Sequence, residues 1–314
     1  MKWMKKLLTN EKGNVLLIVS IAFTGLLAMT GLVIDGGSYF MKKTDLQKVV
    51  NAAALSGAQE LVVGDMNPVL VESRVRQIVH EVVSFHDESI VLNDEDIEVQ
   101  LNNSVTVNLK KPLALAFSSL FGIESVDIVT RATAGLGIMG SAQGAAPLGI
   151  ERSTLIENGH GPNHEFNLKV DQRNVETGNF GALALGSTGA DTFEENLKTG
   201  FNDVISINQI LDTEAGNMNQ PTNRAVTHLI NQPCDGPTER NCPRRILVPV
   251  YEPIIVSNGR IQQIKVVGFA YFYISAPFNS SDSTVRGYFV EYADTGIVNE
   301  NAESHGAYSI RLIE

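Results

Sequence analysis

Val15 to Ile34 is a run of 20 residues without a charge, VLLIVSIAFTGLLAMTGLVI. As a helix rising about 1.5 Å per residue it measures about 30 Å, the thickness of a bilayer's hydrocarbon core. A helix closes its own backbone hydrogen bonds, which lipid cannot do for it. Glu11 and Lys12 lie just before the run and Asp35 just after it. A cleaved signal peptide has a shorter apolar core, about 7–15 residues, followed by a small-x-small site. This run is longer and no Ala-x-Ala follows it. The segment therefore reads as an uncleaved, single membrane-spanning helix, residues 15–34, behind a basic tail, residues 1–14.

Charge sets the orientation. Residues 1–48 hold seven lysines against three acids, a balance of +4, so the remainder carries −15 of the overall −11. Four of those lysines crowd the first 12 residues, and Lys42, Lys43 and Lys48 stand eight or more residues beyond the run. The positive-inside rule then places the N-terminus in the cytoplasm and the C-terminal body outside. An acidic body repels nucleic acid and anionic lipid, and no basic stripe with interleaved aromatics occurs, so nucleic acid is not an expected partner.

The rest of the chain is read as α+β. After Gly36-Gly37 the helical pattern continues, with Leu46, Val49, Val50, Ala53, Ala54 and Leu55 at spacings of three and four and charges on the other face. That stripe is suited either to a partner or to the helix's own domain. Residues 68–87 form a second amphipathic helix with Pro68 in its first turn. Ile97–Leu109 alternates around Asn102-Asn103 as a hairpin. Leu113–Phe121 reads as a short helix ended by Gly122, and Ser125–Ala134 as a strand. These make a small α+β domain, residues 35–135. The Gly- and Ala-rich stretch 136–150, GLGIMGSAQGAAPLGI from Gly135, reads as a linker. Residues 151–314 read as a mainly β domain. Its strands are expected at 166–170, 182–185, 245–256, 263–275, 287–292 and 308–313, with short helices at 192–198 and 223–231.

No constellation for catalysis, cofactor or small-molecule substrate emerges. Gly135-x-Gly137-x-x-Gly140 matches a dinucleotide fingerprint in spacing, but Ser-Ala-Gln-Gly-Ala-Ala-Pro after it does not open a helix. His160 and His164 are four apart, yet Gly161-Pro162 between them disfavours a shared helical face, and no third metal ligand is fixed by spacing. Asp212, Thr213 and Glu214 suit either a calcium site or a capped turn. Cys234 and Cys242, in PCDGPTERNC, suit one local disulfide in an oxidising compartment; free thiols are the alternative.

Residues 11–60 resemble the Tad (Flp) pilus-assembly family, of TadE/TadG-like type. The resemblance is carried by Lys12-Gly13-Asn14, the apolar run, the Asp35-x-Gly37 exit, Tyr39, Leu46-Gln47, and Asn51-Ala52-Ala53-Ala54-Leu55 leading to Ala58. Gly178–Leu183 and Asp212–Met218 are similar to TadG-type ectodomains. The resemblance implies a bacterial, pseudopilin-like membrane protein that helps build or anchor thin adhesive pili, with other pilus-assembly proteins as partners. Filament-forming relatives carry a glutamate five residues after their processing glycine; counted from Gly13, that place holds Ile18. This implies a retained membrane component of TadG type: a glutamate in lipid needs a partner, so a chain without one has less means to register against a neighbouring subunit in a filament. An adhesin or sensor ectodomain unrelated to pili is the alternative, and an extracellular hydrolase a more distant one.

Overall fold

In the computed structural model, residues 11–62, 67–159, 161, 164–170, 181–257 and 260–313 are described. The apolar run and the stretch after it form one helix, α1 (Glu11–Ala58), of 48 residues, about 72 Å at 1.5 Å per residue. Gly36 and Gly37 do not break it. They lie on open helix surface, with nothing within 4 Å of a Cβ at either position.

The C-terminal part of α1 is a core element. Val50, Ala53, Ala54 and Ala58 are fully buried, with Leu46 and Val49 nearly so. Small residues on this face let α2 (Pro68–His86) approach closely; a Cβ on Gly57 would come within 2.8 Å of Val79. The facing ridge of α2 is Val71, Val75, Val79 and Val83, one residue per turn. Asn67 caps α2, its side chain accepting from Val69 N at 2.9 Å.

Both helices cover a sheet that begins with β1 (Ile97–Gln100) and β2 (Ser104–Ala114). The expected hairpin is present, pairing Ile97 with Val107 and Val99 with Val105. The helix expected at Leu113–Phe121 is absent. β2 continues to Ala114, and a single 3₁₀ turn, Ser118–Phe121, follows. Gly122 ends that turn in the left-handed region, at φ 86°.

The linker reading of 136–150 is corrected by β3 (Ser125–Ala142), an unbroken strand of 18 residues, and by β4 (Leu148–Glu151). The glycines of β3 are there for space. A Cβ on Gly135 would run into Ile313, one on Gly137 into Val298, and one on Gly140 into Asn299. Ala145 and Ala146, between the two strands, are buried.

The remaining elements are α3 (Arg152–Asn158), β5 (Phe166–Lys169), β6 (Gly181–Ala182), α4 (Ala190–Thr199), β7 (Ile205–Ser206), β8 (Ile210–Asp212) and α5 (Asn219–Ile230). Then come β9 (Arg245–Ser257), β10 (Arg260–Ile274), β11 (Thr284–Val290), β12 (Tyr292–Asp294), β13 (Ile297–Val298) and β14 (Ala307–Leu312). The first sheet runs β1-β2-β3-β14-β12, with β13 and β7 also on β3. The second runs β5-β11-β10-β9-β4-β6, with β8 on β10. The C-terminal strand β14 therefore returns to the first sheet, pairing Tyr308 with Ile138 and Leu312 with Ala134. The architecture is mixed helix and strand: one long apolar N-terminal helix on a β-rich body. A second core packs Phe193 and Leu197 of α4 and Val226 and Leu229 of α5 against Val248, Phe272 and Phe289.

Candidate functional site

Along 15–34 the large apolar side chains of α1 are bare, from Val15 and Leu16 to Leu32 and Val33, the last 73% exposed. At about 25 cal/mol per Å², water is a poor solvent for such a surface. Among the described residues this is the one helix long and apolar enough to cross a membrane. It is exposed, so it is not the central helix of a soluble core.

Where the run ends, the helix is fastened to the body by Asp35, which is 5% exposed. Its carboxylate accepts from the backbone N–H of Ala116 at 3.0 Å, of Phe117 at 3.0 Å and of Ser118 at 2.6 Å. It also accepts from the Ser118 hydroxyl at 2.8 Å. These donors open the 3₁₀ turn at the tip of the β2–β3 hairpin, and they lack partners in the turn itself. Burial works against the charged form, but the Ser118 hydroxyl and the three amides outweigh it and hold the carboxyl below its ordinary 3.8. One turn earlier, Gly31 leaves room for Phe117, whose Cβ and Cγ lie 2.7 Å from where a Cβ would be. The hairpin tip is thus pinned across the exit of the apolar segment. In the sequence Asp35 marks the boundary of the run and opens the Asp35-x-Gly37 exit, and neither points to a clamp. A lone acid beside an apolar stretch was the available signal; its partners, 81 to 83 residues away, carry none.

Above the exit, the stripe Leu46–Leu55 is taken up by the protein itself, against α2, β2 and β3. Gln47 holds the helix to the sheet, donating to Arg131 O at 2.7 Å and to Asn51 Oδ1 at 2.8 Å. The far end of α1 is held by the cysteine loop. Cys234 and Cys242 are joined, with Cα atoms 5.2 Å apart, and between them Arg240 donates to Ser56 O at 2.9 Å. A cation at the carbonyl end of a helix also meets the favourable end of its dipole. Arg240 lies 3.4 Å from Glu60, which also faces Arg74 at 3.8 Å. Gln59 reaches the Tyr292 hydroxyl at 3.3 Å.

The other sequence candidates are not brought together. His160 lies outside the described residues, and His164 is exposed. Asp212 accepts from Gln263 at 2.9 Å, Thr213 donates to Ile261 O at 2.7 Å, and Glu214 accepts from Gly189 N at 3.0 Å. All three are therefore engaged within the fold. Gly135–Gly140 lies inside β3, where no phosphate loop can form. Among the described residues no group of three or more His, Cys, Asp or Glu could hold a metal ion.

Comparison with known proteins matches residues 13–60 to one family, described as putative Flp pilus-assembly TadE/G-like. The match covers the exposed run, Asp35 and the buried end of α1. No curated protein and no solved structure matches the chain.

Proposed function

We propose that this chain is a non-catalytic, membrane-anchored component of Tad (Flp) pilus assembly or anchoring. Residues 15–34 cross the cell membrane once, residues 1–14 face the cytoplasm, and the acidic body stands outside. In this reading residues 35–135, completed by the rest of β3 and by β14 of the same sheet, form a pseudopilin-like unit, and the second sheet with its helices a mainly β extracytoplasmic unit. Other pilus-assembly proteins, the pseudopilins and the inner-membrane platform, are its partners. The cysteine loop carries its disulfide because the body lies in an oxidising compartment.

One observation carries the reading. The 13–60 family match falls on a helix that is bare over 15–34 and buried after Leu46. That is the pattern of an anchor whose extramembrane end belongs to its own domain. The stripe is spent on the body, so α1 has less to offer a neighbouring helix in a filament, and Ile18 stands where filament-forming relatives carry glutamate. Both favour a retained component over a filament subunit.

Deleting residues 14–34 is the test. The body should leave the membrane fraction and piliation should be lost. Normal piliation with the released body would refute the proposal.

A further inference from the structure

Between Lys111 and Glu124 the hairpin tip has no charge: PLALAFSSLFGI. Leu120 is 78% exposed, Phe121 68% and Ile123 56%. Scattered apolar residues on a surface are ordinary, but a contiguous group marks a contact. The fold fixes where this group stands. Phe117 packs on Gly31, four residues inside the apolar run from Asp35, which is about 6 Å along a helix. The tip is therefore level with the last turn of the membrane-crossing segment. Irregular backbone survives near lipid only where its polar groups are satisfied. Here Asp35 supplies that, accepting the N–H groups of Ala116, Phe117 and Ser118. Farther up the hairpin charged pairs appear beside the exposed Val129, Lys110 with Asp127 at 2.8 Å and Lys111 with Asp87 at 2.6 Å.

We infer that the tip of the β2–β3 hairpin is a second contact with the bilayer that residues 15–34 cross. Leu120, Phe121 and Ile123 enter the boundary between headgroups and acyl chains, and Phe117 seals the tip against the helix. Apolar groups of monotopic proteins reach about 5–10 Å into that boundary, which agrees with the depth of Gly31. Two points of contact, the helix and the tip, hold the body at one angle to the membrane. The inference rests on the membrane-crossing reading of 15–34, so its test separates the two.

The experiment uses the full-length protein in lipid nanodiscs with brominated acyl chains. The sole tryptophan, Trp3, is replaced by phenylalanine. A single tryptophan is then placed in turn as Phe121→Trp, Leu120→Trp, Leu27→Trp and Val204→Trp. Positions 120 and 121 are exposed, so these changes leave the core intact. Val204 is 50% exposed and precedes Ile205, which pairs with Ala142 at the far end of β3; 18 residues of strand separate it from the tip by about 60 Å. The expected result is quenching at 27, 120 and 121 and full emission at 204. Quenching at 27 with full emission at 120 and 121 would overturn the second contact and leave the membrane helix standing. A blue-shifted but unquenched signal at 121 would mean that protein covers the tip, and would overturn it equally. Full emission at all four positions would remove both readings.

Discussion

Gly25→Ala and Gly31→Ala form a pair of substitutions that isolates the docking of the hairpin tip. Both lie in the apolar run, and each gains about 1 kcal/mol in helix propensity over glycine. At Gly25 the new methyl meets nothing within 4 Å, while at Gly31 it meets Phe117 carbons at 2.7–2.8 Å. Carbon atoms rest at about 3.5–4.0 Å, so Phe117 must retreat by about 1 Å. The Asp35 bonds to Phe117 and Ala116, both 3.0 Å, would then stretch past the range of a hydrogen bond. Overpacking of this kind costs about 1–3 kcal/mol. The propensity gain cancels between the twins, so their difference is the clash alone. That corresponds to about 5-fold to 150-fold more frequent opening of the tip. Hydrogen exchange of residues 116–118, followed by mass spectrometry on the intact protein in nanodiscs, reads this directly. Gly31→Ala should exchange faster than Gly25→Ala by such a factor. Equal protection in the two would refute the packing of Phe117 on Gly31 and with it the pinned exit.

Two further outcomes follow from the same contacts. Asp35 is held below 3.8, so its support of the tip is complete above that value and is lost as pH falls through its lower folded value. Thermal unfolding of the intact protein should therefore show an acid-side loss that is smaller in Asp35→Asn. The remainder belongs to Asp87 and Glu194, which their cationic partners also hold low. An unchanged pH profile in the variant would contradict the clamp. Replacing Cys234 and Cys242 by serine opens a loop with a sequence separation of 8, worth about 2.5 kcal/mol in the loop-entropy account. Calorimetry should find a midpoint lowered by about 5–10 °C, and an unmoved midpoint would show that the loop is held by other contacts.

The parts of this fold that a sequence reveals are those fixed by local pattern. The 20-residue run, the valine ridge of α2, the β1–β2 hairpin and the long strands β9 and β10 each declare their own periodicity. What stayed hidden depends on partners distant in the chain. Leu113–Phe121 is composed like a helix but becomes a strand end and a 3₁₀ turn, because Asp35 takes its amides. Residues 136–150 are composed like a linker, but Gly137 and Gly140 are vacancies filled by Val298 and Asn299 from the C-terminal part of the chain, and Gly149 makes room for Tyr251. The two-residue strands β7 and β13 exist only through β3. The candidate site divides in the same way. The run and its terminal acid are visible, while Gly31 and Ser118 acquire meaning only when the hairpin folds back onto the helix. The stripe above them suited two fates equally until α2 and the sheet were seen to cover it.

The central claim is that residues 15–34 lie in lipid, with the body on the outer side. Labelling by a membrane-impermeant thiol reagent in right-side-out spheroplasts tests it most directly. In a Cys234→Ser, Cys242→Ser background, the probes are Ile297→Cys, at a side chain 63% exposed on the body, and Lys5→Cys in the basic tail. The account expects Ile297→Cys to label at once and Lys5→Cys only after lysis. Labelling of Ile297→Cys that waits for lysis would contradict it.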